Sequence, residues 1–285
     1  MEKSIKCNGW QIHHQERLIY RANAGIPNIR LRFFNYASYR QIVQIDKAPS
    51  QCKLKAKGNN SYFLFQHKSQ TKGVISLDRI ITVIPIPSFT NPKDDWGKIS
   101  NFPKELRQKY KQSSRYWSVK STSIGNISKQ DWFKTDDLSS WVKLAFDYIT
   151  AKIKHREKQE RRLGADQAFI TGIGDCDEFT DLFVTFARMR GIPCRRLTGY
   201  FITKKGISVE AHAWGEIFSL NKGWIPIDIA LNNIGYHTSN YVILKIEEFN
   251  PALSDYHVQT GRSGVVHYHW ERPDPIVTPV YYDKS

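Results

Sequence analysis

Residues 172–195, GIGDCDEFTDLFVTFARMRGIPCR, carry the clearest structural signal in the chain. Their apolar side chains recur three and four positions apart, which is the spacing of one face of an α-helix. These side chains are Phe179, Leu182, Phe183, Phe186 and Ala187. Gly191 and Pro193 follow the periodic segment and are typical of a helix end. The segment therefore predicts a loop, then a helix, then an abrupt stop.

The start of this helix is the chemically informative part. Gly172 and Gly174 allow the backbone to enter through a tight turn. Asp175 is a suitable N-cap residue, which places Cys176 in the first helical turn. The partial positive charge of a helix N-terminus favours an anion, so a thiol ionises more readily there. We therefore interpret Cys176 as a nucleophile and not as a buried structural thiol.

A reactive cysteine needs a base, and two later segments supply candidates. His212 lies in EAHAWGEIF (210–218), whose polar and apolar residues alternate as in a strand. Asp228 ends GWIPID (223–228), which predicts a second strand. If these strands are antiparallel neighbours, the imidazole lies beside the carboxylate and can accept the thiol proton. That is the nucleophile, base and orienter arrangement of acyl transfer.

These motifs carry a family resemblance. GDCDEF, GIPCR, AHAWGEI and GWIPID, in this order and at this spacing, resemble the transglutaminase-like superfamily over about residues 141–248. The resemblance implies an α+β fold with a papain-like core, in which the helix bearing the cysteine packs on an antiparallel sheet. It implies Cys176 as nucleophile, His212 as general base and acid, and Asp228 as orienter.

The resemblance also implies a reaction class. Prokaryote-like members are more often hydrolases than cross-linking enzymes, so protease or amidase action through a thioester acyl-enzyme is favoured over transglutaminase-like amine transfer. The substrate would be a protein, a peptide or a small amide. No cofactor is expected. A calcium site is not expected either, because the sequence has no dense Asp/Asn loop of the kind that binds Ca²⁺.

The remaining sequence suggests further domains around this core. Residues 1–88 contain short alternating segments separated by Gly and Asn turns, which predicts a small N-terminal β-sandwich. Relatives often carry such a domain before the catalytic part. Residues 89–97 follow a Pro-rich stretch and are assigned as a linker. The catalytic domain is placed at 98–265, and the Pro-rich residues 266–285 are expected to form an extended tail.

Composition limits the location and the redox state. The chain has 285 residues and contains no apolar run long enough for a membrane span. Its N-terminus has no apolar signal region, so we expect a cytoplasmic protein. The four cysteines are far apart and are interpreted as reduced thiols. They are Cys7, Cys52, Cys176 and Cys194.

The net charge is +15, from 42 basic and 27 acidic residues. Basic side chains concentrate at residues 98–120 and 152–162, the latter including Lys158 and Arg162. They could attract an acidic partner such as nucleic acid, an acidic carrier protein or an anionic surface. A solvated basic helix face is the favoured interpretation, because no nucleic-acid-binding motif accompanies them.

Two alternative functions stay open at this stage. The same chemistry could form amides from thioester donors on an acidic carrier protein, or the fold could serve as a non-catalytic polyanion-binding module. Two histidine pairs, His13 with His14 and His267 with His269, lack further ligands nearby in sequence. We therefore expect no metal site at either pair.

Overall fold

A computed structural model describes residues 9–23, 28–68, 72–156, 161–203, 208–249 and 266–281. Cys7 and Lys158 lie outside the described residues. The described strands before residue 90 are β1 (Gly9–Ala22), β2 (Asn28–Asn35), β3 (Gln41–Lys47), β4 (Cys52–Lys57), β5 (Asn60–Lys68), β6 (Lys72–Pro85) and β7 (Ser88–Phe89).

The middle and end of the chain mix helices and strands. In chain order the elements are α1 (Lys104–Tyr110), α2 (Leu138–Lys152), β8 (Lys154–His155), α3 (Ala165–Thr171), β9 (Ile173–Gly174), α4 (Cys176–Arg190), β10 (Cys194–Thr203), β11 (Ser208–Ser219), β12 (Gly223–Asp228), β13 (Asn233–Ile234), β14 (Tyr236–His237), β15 (Tyr241–Glu247), β16 (Val266–Glu271) and β17 (Ile276–Val280).

The N-terminal strands form two antiparallel sheets. One runs in the order β16-β1-β6-β3, with β17 also paired to β1, and the other runs β2-β5-β4. Along β1, buried and more exposed residues alternate, as expected for a strand with one face on a core. Ile12 of β1 and Ile29 of β2 belong to one buried cluster, so the two sheets enclose a common core. The predicted β-sandwich is confirmed.

Residues 266–281, at the start of the expected tail, are part of this sandwich. β16 pairs with Arg17–Ala22 of β1, and β17 pairs with Gly9–His13. An extended Pro-containing segment suits such an edge position, because an edge strand needs only one row of ladder hydrogen bonds. The end of the chain thus returns to the strand nearest its beginning.

The second half is a helix layer on an antiparallel sheet, which confirms the predicted α+β class. The sheet order is β13-β12-β11-β10-β15. α4 packs on this sheet, and a large apolar cluster joins it to α2 through Trp141, Phe183 and Ile217. α4 ends at Gly191, which has a left-handed conformation at φ 83°. That conformation favours glycine, so the predicted stop has its physical reason.

The sheet that contains β10 and β15 also contacts the core of the β-sandwich. Ile202 of β10 and Val242 of β15 belong to the same buried cluster as the sandwich strands. A glycine makes the sheet itself possible: a Cβ at Gly199 of β10 would lie 1.8 Å from the Val242 carbonyl oxygen. Gly199 is in register with His212 of β11, so this close approach fixes β15 against β10, on the side opposite the strand that carries the histidine.

Candidate functional site

Cys176 is the first residue of α4, as the sequence predicts. The Asp175 side chain accepts a hydrogen bond from the Asp177 backbone N–H at 2.9 Å. Glu178 reaches back and accepts the Asp175 backbone N–H at 3.1 Å, which completes a capping box. Cys176 is half-buried, so its sulfur sits at the positive end of the helix with access to solvent.

The turn before the cysteine requires glycine at one position. A Cβ at Gly174 would lie 2.4 Å from the Glu178 Cβ, which no side chain tolerates. This close approach lets Glu178 bury completely and accept the Leu163 backbone N–H at 2.7 Å. Burial raises the pKa of Glu178 to about 7, although these backbone hydrogen bonds oppose the shift. Glu178 therefore fixes two loops around the cysteine as a structural residue.

His212 and Asp228 meet between β11 and β12. His212 Nε2 lies 2.7 Å from Asp228 Oδ2. The other hydrogen bonds of the carboxylate hold it in place, since Tyr241 Oη–H donates to Oδ2 at 2.8 Å and the Leu231 backbone N–H donates to Oδ1 at 3.1 Å. Asp228 is only 1% exposed. The imidazole thus faces a rigid, water-shielded acceptor.

The protonation of His212 follows from these neighbours. Burial alone would lower its pKa, but hydrogen bonds and charge interactions with Asp228 and Cys176 outweigh it and raise the pKa to about 10. Trp214 stacks on the imidazole, with ring centroids 5.9 Å apart and planes 19° apart. These neighbours therefore favour the protonated form of His212, and they hold the ring in one orientation.

Cys176 and His212 line the same cavity, of about 260 Å³. Because Nε2 is occupied by Asp228, Nδ1 is the ring nitrogen left for Cys176, and a side-chain hydrogen bond in which the sulfur accepts contributes to the raised pKa of the histidine. α4 is held against β11 by Thr180, whose hydroxyl donates to the Ala213 carbonyl at 3.1 Å. The structure thus brings together all three residues that the sequence singled out.

An ionic cluster borders the cavity, and all of its members except Asp181 line it. Arg162 donates two hydrogen bonds to Asp181, at 2.7 and 2.5 Å, and Arg196 donates to Asp181 at 3.2 Å. Glu247 lies 2.9 Å from Arg162, 3.3 Å from Arg196 and 2.8 Å from the Lys245 ammonium. Arg196 also pairs with Asp177. Three cations and three carboxylates balance one another.

Burial raises the pKa of Asp181 despite its two arginine neighbours, whereas the other two carboxyl groups of the cluster have lowered pKa values. Burial would raise the pKa of Asp177 and Glu247, but Arg196 lowers the first, and Lys245 and Arg196 lower the second. Arg162 also stacks 3.9 Å above the Tyr116 ring. Arg162 is therefore a buried structural cation and not part of a free basic face.

Sequence reasoning missed Tyr241 and most of this cluster. The contact of the Tyr241 hydroxyl with Asp228 depends on the order of strands in the sheet, which joins β12 to β15 through β11 and β10. Arg196 and Glu247 lie in register on β10 and β15, which only the fold reveals. Arg196 is only 2% exposed, and no local sequence pattern distinguishes it from a surface arginine.

His13 and His14, and the two carboxylates beside Cys176, have protein partners. His13 Nε2 lies 2.6 Å from Asp78, and His14 Nε2 lies 2.7 Å from the Tyr36 hydroxyl. Donor atoms of Asp175, Cys176 and Asp177 lie within 4.8 Å of one another, but Asp175 caps α4 and Asp177 pairs with Arg196. We assign no metal to these residues.

No helix among the described residues combines the length and the apolarity that crossing a bilayer requires.

Comparisons with known proteins agree with this geometry. Residues 124–229 match the transglutaminase-like superfamily, so the chain carries a transglutaminase-like domain, of a superfamily whose members are usually cysteine enzymes. A solved structure from Cytophaga hutchinsonii, described as a "Putative Cysteine Protease", is similar over 97% of this chain and 95% of its own, with a TM-score of 0.60 and 16% identity. At that identity the likeness shows the fold alone. No curated protein gives a significant match.

The ionic cluster leads to a stability prediction. Replacing Arg196 by Ala leaves Asp181 and Glu247 short of a buried cation, so we expect the free energy of unfolding to fall by about 3–5 kcal/mol. Urea denaturation measures this loss. Arg21→Ala, at an exposed position of β1, is the control and should cost no more than about 0.5 kcal/mol. Equal losses in the two variants would contradict the role of the cluster.

The raised pKa of His212 predicts a pH dependence of stability. The folded pKa of about 10 exceeds the ordinary value of 6.5, so this group stabilises the fold fully below 6.5 and loses that contribution as pH rises through 10. Asp228→Asn removes the main charge partner, and the stability advantage of the parent protein over this variant should shrink across that window.

Urea denaturation at several pH values tests this expectation. The control is Glu210→Gln, at an exposed position of the strand that carries His212. Its free energy of unfolding should differ from that of the parent protein by the same amount at every pH. An advantage over Asp228→Asn that grows with rising pH would refute the assignment of His212 as a stabilised imidazolium.

Proposed function

We propose that this protein is a cysteine-dependent hydrolase or acyltransferase that acts on an amide or peptide through a thioester acyl-enzyme. The observation that carries the proposal is the 2.7 Å contact of His212 Nε2 with buried Asp228, in a cavity shared with Cys176 at a helix N-terminus. A histidine with only a structural role would not require a half-exposed thiol beside its second ring nitrogen.

The proposed resting state is an ion pair. The raised pKa of His212 favours a protonated ring, and the helix N-terminus favours a negative charge on the Cys176 sulfur beside it. His212 therefore acts first as a general acid. This refines the sequence-based role of the histidine, in which it begins by removing the thiol proton.

The proposed reaction has two halves. The Cys176 sulfur attacks the carbonyl carbon, a C–S bond forms, and the oxygen gains negative charge that the Cys176 backbone N–H can stabilise. The imidazolium gives its proton to the leaving amine as the C–N bond breaks. In the second half, neutral His212 takes a proton from a water molecule or an amine as that molecule attacks the thioester carbonyl. The C–S bond then breaks, which restores the thiolate and the imidazolium.

The cavity favours a polar substrate. Its lining includes the cations Arg162, Arg196 and Lys245 and the carboxylates Asp177 and Glu247, which pair with one another. An apolar acyl group placed there would cover charged groups without offering them hydrogen bonds, which is unfavourable. We therefore propose a peptide or small amide with polar groups near the scissile bond. The partial exposure of Cys176 admits water, so hydrolysis leads over amine transfer.

Thiol reactivity tests the proposal. We expect iodoacetamide at neutral pH to alkylate Cys176 much faster than Cys52 or Cys194, because burial raises the pKa of those thiols to about 11 and about 12. His212→Ala should slow labelling of Cys176 by roughly tenfold to a hundredfold, since the thiolate loses its counter-ion. Peptide mass spectrometry gives the rate at each cysteine.

The matched control is His269→Ala, at an exposed position of β16, which should leave the rate unchanged. Labelling of Cys176 that is no faster than that of Cys52, or that is indifferent to His212→Ala, would overturn the proposed function.

A further inference from the structure

A second cavity lies at the opposite end of the helix that carries Cys176. Its volume is about 300 Å³, and Arg190 in the last turn of α4 lines it. α4 has 15 residues, so the two ends are about 20 Å apart. Three more basic side chains line this cavity, namely Arg107, Lys111 and Lys134. The active-site proposal uses none of them.

The charges here are not balanced, in contrast to the cluster near Cys176. Lys134 pairs with Asp131 at 3.0 Å. The Asp136 carboxylate reaches Arg190 only at 4.0 Å, and it already accepts hydrogen bonds from the Ser100 hydroxyl and backbone N–H. Within the described part of the chain, Arg107 and Lys111 make no ion pair. The cavity therefore holds an excess of positive charge.

Arg190 has an unmet hydrogen-bond requirement. Its Nη2 donates to the backbone carbonyls of Lys134 and Thr135, at 3.2 and 3.4 Å. Its Nε is buried and has no acceptor among the described residues. Burial lowers the pKa of Arg190, and Arg107 lowers it further while Asp136 opposes the shift. A buried donor without an acceptor is unfavourable, so the Arg190 side chain is held beside the cavity at an energetic cost.

Helix-end electrostatics do not account for the arrangement. Basic residues near a helix C-terminus are favourable, and Arg107 and Arg190 lie in the last turns of α1 and α4. However, Arg107 and Lys111 both lean over Gly191. A Cβ there would lie 3.0 Å from Arg107 Nε and 3.2 Å from Lys111 Cε. Two like charges thus converge on one point beside a third, which is unfavourable unless an anion joins them.

We propose that this cavity binds a phosphate or sulfate group, held by Arg107, Lys111 and Arg190. Guanidinium groups match the oxygens of such an anion in pairs, and the lysine adds a point charge. Phe133 and Met189 provide apolar wall, and the volume exceeds that of a single phosphate. The site therefore suits a phosphate monoester whose organic part rests against these residues.

Calorimetric titration of the full chain with inorganic phosphate tests the proposal. We expect binding that exceeds the response to chloride at equal ionic strength. Arg107→Gln combined with Lys111→Gln should weaken phosphate binding by about tenfold or more. The matched control combines Lys104→Gln with Lys120→Gln, both at exposed positions. It removes the same charge and should bind phosphate as tightly as the parent protein does.

Phenyl phosphate distinguishes the source of the anion. Tighter binding than that of inorganic phosphate indicates an ester, and equal binding indicates the free ion. Equal phosphate affinity in the two double variants, or a response to phosphate no greater than to chloride, would overturn the proposal. Iodoacetamide labelling of Cys176 should be unchanged in both variants, so this outcome is separate from that of the proposed function.

Discussion

The contact between His212 and Asp228 is the constraint on which the site depends. It joins two adjacent strands of one sheet, and burial makes it strong because water cannot compete for either partner. Tyr241 holds the carboxylate from a third strand. With Nε2 fixed in this way, the imidazole has one orientation and one free nitrogen, and α4 supplies the thiol that faces it.

The charged cluster gives the cavity its rigidity and its chemical character. Its members come from α4, β10, β15 and the segment before α3, so the ion pairs join elements that carry or flank the thiol. Each cation has more than one anionic neighbour or a second hydrogen-bond partner, which limits the cost of burial. Each of these charges needs its partner, because an unmatched charge would be left buried without compensation.

The cavity at the other end of α4 differs from the cavity of Cys176 in its balance of charge. Its positive charges outnumber the carboxylates within reach, and Arg190 keeps a buried donor without an acceptor among the described residues. The charges that line the cavity at the start of α4 are thus balanced, whereas those at its end have an excess of positive charge. The net charge of +15 is distributed unevenly, and burial in ion pairs removes Arg162 from the part that could attract a partner.

Local patterns allowed the helix of Cys176, its Gly191 stop and the strand of His212 to be predicted, because each depends on neighbours in sequence. The pairing of β1 with β16 and β17 could not be predicted, since it joins the two ends of the chain. Arg162 is instructive: it lies in a basic run that resembles a solvated face, yet Asp181 and Glu247 bury it. Only the order of strands reveals such partners.

The most direct test of the account is the protonation state of His212, measured by NMR on protein labelled with nitrogen-15 in histidine. The account predicts that both ring nitrogens carry protons at neutral pH and that the imidazolium titrates near pH 10, well above the ordinary 6.5. A neutral imidazole at neutral pH, with a titration near 6.5, would contradict the ion pair of Cys176 and His212.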